Sequence, residues 1–346
     1  LEIIAGTTLK QLQPRVWDPE SPFHLSDLRA VMFSFTDFHR SKSLRERAMK
    51  DGLHKTLGVP GRIRIYIDNG AFANILAGNK LPERDYQEFV SRSKPDWYPV
   101  PADFIPLPSM TRAEQESCFE KTMRRNRNFS FDGFVPVIHA GGKLEKYIKA
   151  IQAHEELNRK NVLALGGLVP QFFQTHGTGP KTTAIDSILK VRQSFNGKIH
   201  AFGIGGTATL HIACVLGLDS VDSSGWRNRA ARGIIQLPGR GERIIAQLGN
   251  WKGKEPDRKE LALLRNCQCP GCGQAGIRGL KENGTIGFAR RATHNLYVLL
   301  EELREIEGRL KDGSYQDWYS THVFNKMFLR LIDYALEKKN GISNSI

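Results

Sequence analysis

The chain has 346 residues, 40% hydrophobic and 25% charged, which is the balance of a folded globular protein with ample length for a buried core. It lacks the low hydrophobicity of a disordered chain, and no apolar run reaches membrane-spanning length. Lys plus Arg number 50 against 36 for Asp plus Glu, and the resulting net charge of +14 favours a polyanionic partner. The sequence begins at Leu1 rather than Met, so residues upstream are expected. With no signal-peptide pattern and no disulfide framework, a cytoplasmic, reducing location is the expectation.

In chain order, apolar runs predict strands at Ala30–Ser34, Ile63–Ile67, Asp103–Leu107, Gly133–Ile138, Val162–Leu165, Ile199–Gly203 and Leu218–Val221. Amphipathic spacing between them predicts helices over Glu83–Ser93, Arg112–Arg125, Leu144–Leu157, Thr183–Phe195 and Thr207–Leu216. Alternation of this kind implies parallel β-structure, and the number of units suggests an α/β fold closed as a (β/α)8 TIM barrel. A doubly wound open sheet is the alternative, weakened because no GxGxxG follows the first strand. From about Gly233 the pattern breaks. Residues 1–232 are therefore assigned to the main part of the barrel. Residues 233–346 are assigned to a basic segment, a metal-binding subdomain and closing helices that include Asn295–Leu310.

Chemically suggestive groups cluster just after the strands: Asp68-Asn69-Gly70-Ala71-Phe72, His139-Ala140-Gly141-Gly142, Gly166-Gly167-Leu168, Gly205-Gly206 and Asp222-Ser223. A barrel collects its strand ends at one mouth, so distant segments can converge there. Asp68 and Asp222 have the chemistry of nucleophiles or general acids and bases; each could instead cap the next loop. The glycine pairs expose main chain to a flat ligand, or serve tight strand-to-helix packing. Phe72 and Phe202 could sandwich a planar heterocycle, or belong to the core. His139 reads equally as a base contact or as a structural histidine.

Cys267, Cys269 and Cys272 lie within six positions, and His294 follows on a helical stretch. Three thiolates and an imidazole suit a closed tetrahedral, structural Zn2+ site; a cluster of buried free thiols is the alternative. Between Trp226 and Lys259 the chain carries Arg227, Arg229, Arg232, Arg240, Arg243, Lys252, Lys254, Arg258 and Lys259. That stretch is expected to contact nucleic acid, with Arg227, Arg229 and Arg232 nearest the second acidic motif.

Together these motifs resemble the queuine/archaeosine-type guanine transglycosylases. The resemblance rests on Asp68-Asn69-Gly70-Ala71-Phe72, Ala164-Leu165-Gly166-Gly167-Leu168, Phe202-Gly203-Ile204-Gly205, Gly217-Leu218-Asp219-Ser220-Val221-Asp222-Ser223 and the metal set ending at His294-Asn295-Leu296. They occur in the family's order over about residues 60 to 310. The resemblance implies a zinc-bearing (β/α)8 barrel in which Asp222 attacks the sugar and Asp68 handles the proton on the exchanged bases. Phe72 and Phe202 would sandwich the base; Gly166, Gly167, Leu168, Gly203 and His139 would contact it.

Several departures from the bacterial tRNA-modifying members follow. His139 stands where they carry Gln, and Ser224-Gly225-Trp226-Arg227 replaces a Pro-Thr-Arg loop. The base-reading acid after the third strand end is expected to be missing, since that run reads Pro106-Leu107-Pro108-Ser109. The Cys272-to-His294 spacing is also shorter, and no RNA-binding domain is expected after the barrel. In motif style the chain looks more like the bacterial and phage DNA-guanine transglycosylases. The expected activity is thus replacement of guanine in DNA by 7-cyano-7-deazaguanine, a 7-deazaguanine base. Exchange in tRNA, or a catalytically silent nucleic-acid-binding subunit, is the alternative. A homodimer and accessory DNA-modification proteins are further expectations from the family.

Overall fold

The computed structural model describes residues 1–10, 12–70, 82–129, 131, 133–173 and 180–343. The strands are β1 (Glu2–Gly6), β2 (Ala30–Ser34), β3 (Arg64–Asp68), β4 (Tyr98–Pro99), β5 (Phe134–Val135), β6 (Val137–His139), β7 (Val162–Gly166), β8 (Lys198–Ala201) and β9 (Ser220–Ser223). Seven of them form one parallel sheet in the order β3-β2-β1-β9-β8-β7-β6. Its edges meet through the two short strands. Trp97 bridges Tyr66 of β3, with the Ile67 N–H donating to the Trp97 carbonyl at 2.9 Å. Tyr98 and Pro99 then pair with Phe134 and Val135.

Pro136 has no N–H to give, so it interrupts β5 and β6. The buried Asn126 amide fills the gap, donating to the Val137 carbonyl at 2.8 Å and accepting the Val137 N–H at 3.0 Å. Counted as one broken strand, β5 and β6 complete a closed ring of eight parallel strands. Ile3, Ile4, Val31, Ile65, Ile67, Val137, Ile138 and Leu165 are buried because such strands are covered on both faces.

Two strand assignments change. Glu2–Gly6 pairs between β2 and β9, although its brief apolar run gave no sequence signal. The expected strand Asp103–Leu107 does not form; the chain pairs earlier, at Tyr98–Pro99. Pro106 and Pro108 deny that run the donors a ladder needs. The earlier segment is held by Asp96, which accepts the Ile65 N–H at 2.7 Å, and by Trp97 stacked on Tyr66 at 5.1 Å. The helix expected over Leu144–Leu157 divides into Leu144–Gln152 and Glu155–Asn158, with extended backbone at His154 between them.

Beyond the barrel, β10 (Ile234–Leu237) and β11 (Gly241–Ile244) form an antiparallel hairpin. Ile235, Leu237, Leu264 and Leu280 pack around Cys269 and Cys272 in a small core of their own. The long helix Gly284–Asp312 serves both parts: Ala292, Leu296, Leu299, Leu303 and Ile306 join the barrel core. At its first third Arg291 is fully buried and donates to the carbonyls of Ala230 (2.9 Å), Leu280 (2.8 Å) and Glu282 (2.7 Å).

Those three acceptors belong to the barrel side and to the small layer, so one guanidinium ties them together. Arg291→Met fills similar space and orphans three carbonyls, each costing about 1–3 kcal/mol. The variant is expected to lose about 3 kcal/mol or more, read as a lower urea midpoint with an unchanged slope.

Candidate active site

The C-terminal ends of the strands enclose a cavity of about 460 Å³, in the size range of small-ligand sites. Asp68 enters it from the end of β3, Asp222 from β9 and Asp103 from the segment after β4; Asn69, Gly166, Gly167, Phe202 and Gly203 complete much of the wall. Each acidic group is held differently. Gly70, at φ +75°, turns its N–H onto Asp68 Oδ2 at 2.9 Å. Gly203, at φ +72°, does the same for Asp222 Oδ1 at 2.7 Å. A side chain at Gly203 would also strike Val169, its Cβ lying 2.6 Å from Cγ2. The glycines therefore serve to bring donors onto carboxylates.

Asp103 accepts from Asn69 Nδ2 at 2.8 Å and stands 3.2 Å from His139 Nε2. Burial alone would raise its pKa, but the hydrogen bond and charge of His139, with the Asn69 contact, outweigh that and hold it below the usual carboxylate value. Among the described residues Asp68 has no such partner. Burial first, then repulsion from Asp103 and Asp222, push it up to about 7, so it is partly protonated at neutrality and can give or take a proton there. One cavity thus contains a carboxyl poised to exchange a proton near neutrality and a neighbour held as an anion.

The sequence-expected residues fall into separate groups. Asp68, Asp222, Gly166, Gly167, Phe202 and Gly203 line the cavity. Phe202 stands edge-on to Trp97 (5.9 Å) and His200 (4.7 Å). Phe72 lies outside the described residues. Leu168 is fully buried at the start of a short helix, away from the cavity wall. His139 is also fully buried, with its ring behind Asp103. Gly166 makes room for that ring, because a Cβ there would sit 2.7 Å from His139 Nδ1.

Asp103 falls where the sequence predicts the start of a strand, and the expectation of a missing acid is corrected: an acid three residues ahead of Pro106 lines the cavity. His200, behind Asp222, also gave no signal, since a histidine within an apolar run looks like core.

Part of the basic stretch is taken up by internal contacts, whereas Lys252, Lys254, Arg258 and Lys259 are exposed. Arg227 is buried, donates to the Gln13 carbonyl at 2.8 Å and lies over the Phe288 ring; burial lowers its pKa to about 10. Arg229 pairs with Glu242 at 2.5 Å, and Arg243 forks onto Glu260 at 2.5 and 2.8 Å. Arg232 is exposed, its guanidinium 4.2 Å from the ring centre of Trp251.

His294 Nδ1 lies 3.6, 3.5 and 3.5 Å from the sulfurs of Cys267, Cys269 and Cys272. A tetrahedral ion with thiolate and imidazole ligands would set those atoms about 3.6 Å apart, so the set fits. His294 Nε2–H donates to the Gln236 carbonyl at 3.0 Å, which leaves Nδ1 as the lone-pair ligand. This group could hold a metal ion in a closed site.

A family model for queuine tRNA-ribosyltransferase matches residues 8–327. The chain belongs to this family. Among curated relatives, the tRNA-guanine(15) transglycosylase of Thermoplasma acidophilum is 25% identical over 318 residues, covering 88% of this chain and 46% of that protein. Those of Pyrococcus abyssi and Methanocaldococcus jannaschii are each 26% identical, covering 80% of this chain and 44% and 41% of theirs. The chain therefore spans less than half the length of these relatives. No helix among the described residues is long and apolar enough to cross a membrane.

A carboxyl whose pKa is higher folded than unfolded opposes folding increasingly as the pH rises from the unfolded value to the folded one, and fully above it. Asp68→Asn removes that opposition. The variant is expected to melt above the parent at pH 8, with the difference closing toward pH 4 to 5; a constant difference across that range would contradict the crowding of charge at Asp68.

Proposed function

We propose that this protein exchanges guanine in a polynucleotide for another base by double displacement at Asp222. The observation that carries the reading is the meeting of Asp68 and Asp222, from β3 and β9, in one cavity of a chain belonging to this family. In the first step a carboxylate oxygen of Asp222 bonds to the sugar C1′ as the bond to the guanine nitrogen breaks. Asp68 supplies the proton taken by the departing base. In the second step Asp68 takes a proton from the incoming base, whose nitrogen attacks C1′ and returns the electron pair to Asp222. Two inversions retain configuration.

Asp103, an acceptor held ionised, suits the N–H edge of guanine, while Gly166 and Gly167 offer main-chain groups and Phe202 an aromatic wall. A paired base cannot enter such a cavity, so a flipped or single-stranded nucleotide is required. A silent binding subunit is disfavoured because both carboxylates stand in place.

The relatives are named as tRNA enzymes, and tRNA is the first polymer proposed. DNA is the second reading, supported by His139 in place of Gln and by Ser224-Gly225-Trp226-Arg227 after the nucleophile; 7-cyano-7-deazaguanine is the incoming base proposed with it. Labelled guanine offered with each polymer separates the two. Incorporation should occur into one of them, with a covalent protein–polymer adduct on denaturing gels that Asp222→Ala abolishes. Asp68→Asn should slow exchange by about 10²–10⁴-fold. No incorporation into either polymer would end the proposal.

We further infer that the ion at Cys267, Cys269, Cys272 and His294 is zinc in a structural role, since four protein ligands leave no open position. Elemental analysis should find about one zinc per chain. Cys269→Ser should lose the metal and the cooperative unfolding of the hairpin layer, while leaving the barrel's far-ultraviolet signal.

A further inference from the structure

Behind the nucleophile position stands a histidine that the reaction above does not use. His200, on β8, is fully buried, its ring set edge-on to Trp97 (5.0 Å) and Phe202 (4.7 Å). Its Nδ1 is 3.0 Å from Ser220 Oγ on the neighbouring strand. Nε2 makes no hydrogen bond, yet it lies 3.5 Å from Asp222 Oδ1. A buried ring nitrogen without a partner costs free energy, so its persistence beside a carboxylate calls for a reason.

The carboxylate supplies one. Asp222 Oδ1 already accepts the Gly203 N–H at 2.7 Å, and His200 approaches the same oxygen. Among the described residues nothing bonds to Oδ2. If the Ser220 hydroxyl donates to Nδ1, the ring proton sits on Nε2, 3.5 Å from Oδ1.

We infer that His200 is a positioning residue for the nucleophile: with Gly203 it fixes Oδ1, so that Oδ2 alone is presented to the sugar. The inference rests on the reading that Asp222 attacks C1′. In the first displacement the Oδ2–C1′ bond forms and Oδ1 becomes the ester carbonyl oxygen. In the second that bond breaks, the electron pair returns to the carboxylate, and negative charge is restored at Oδ1, where the Gly203 N–H already points and His200 Nε2 lies within 3.5 Å. Fixed donors at a site of developing charge act without reorganisation, and removing one commonly costs about 10²–10³ in rate. Ser220 acts one step further back, by setting the tautomer. The other titratable groups sharing the cavity with Asp222 are Asp68 and Asp103.

His200→Phe keeps an aromatic ring between Trp97 and the nucleophile but removes the donor; His200→Gln keeps a donor. For guanine exchange, His200→Phe should lower kcat by about 10²-fold with KM for guanine changed less than about threefold, whereas His200→Gln should stay within about tenfold of the parent. Ser220→Ala should fall between them. The acid limb of the kcat/KM profile should move to higher pH in His200→Phe, because Asp222 then ionises less readily. A carboxyl 13C titration of Asp222, without substrate, reads the same change independently of activity. An unchanged carboxyl titration together with parental kcat in His200→Phe would overturn the inference. If the parent exchanges no guanine but the Asp222 titration still moves in His200→Phe, the functional reading fails and the positioning contact stands.

Discussion

Three carboxyl groups facing one small cavity repel one another, and most of the local architecture answers that constraint. Asp103 is kept ionised by a buried imidazole and an amide. Asp222 receives a main-chain N–H from a glycine held at positive φ. Asp68 is left to take the proton. Environment thus pushes Asp68 and Asp103, two chemically alike side chains, in opposite directions, the usual basis for separating acid and anion roles in one site. The same crowding costs stability, since the cavity would be quieter with any one of the three neutralised.

The carboxylates keep this arrangement only while the strand ends stay fixed, and β9 is fixed partly from outside the barrel. Trp226, four residues after Asp222, donates its indole N–H to the Gly6 carbonyl at 2.9 Å. Its own carbonyl accepts from Asn295 Nδ2 at 3.1 Å, and the same amide group bonds Ile234 and Gln236 of the hairpin. Asn295 adjoins His294, whose ring is oriented by Gln236. A single helical turn therefore joins the segment after the nucleophile to the thiolate turn. A metal ion there would stiffen that joint without touching the reaction.

A second polar knot lies further along the same helix. Glu302, almost wholly buried, is approached by His211 Nε2 at 3.1 Å and His322 Nε2 at 2.7 Å, and accepts the Gly239 N–H at 3.2 Å. His211 belongs to a barrel helix, His322 to a helix after Gly313, and Gly239 to the hairpin turn. Burying one carboxylate is tolerable here because several donors from different elements converge on it. Its effect is to fasten the closing helices to the barrel.

Read alone, the sequence determined the strand–helix alternation, the convergence of Asp68 and Asp222, and the grouping of three cysteines with His294. Periodicity, strand-end position and ligand spacing are local properties that survive in one dimension. The tertiary structure alone decided the rest. It moved the fourth strand ahead of two prolines and so brought Asp103 into the cavity. It placed His139 and His200 behind carboxylates and turned Arg227 inward. The physical reason is common to all of these: a side chain's charge state and direction depend on neighbours far away in the chain, and composition records only that a basic or titratable group exists.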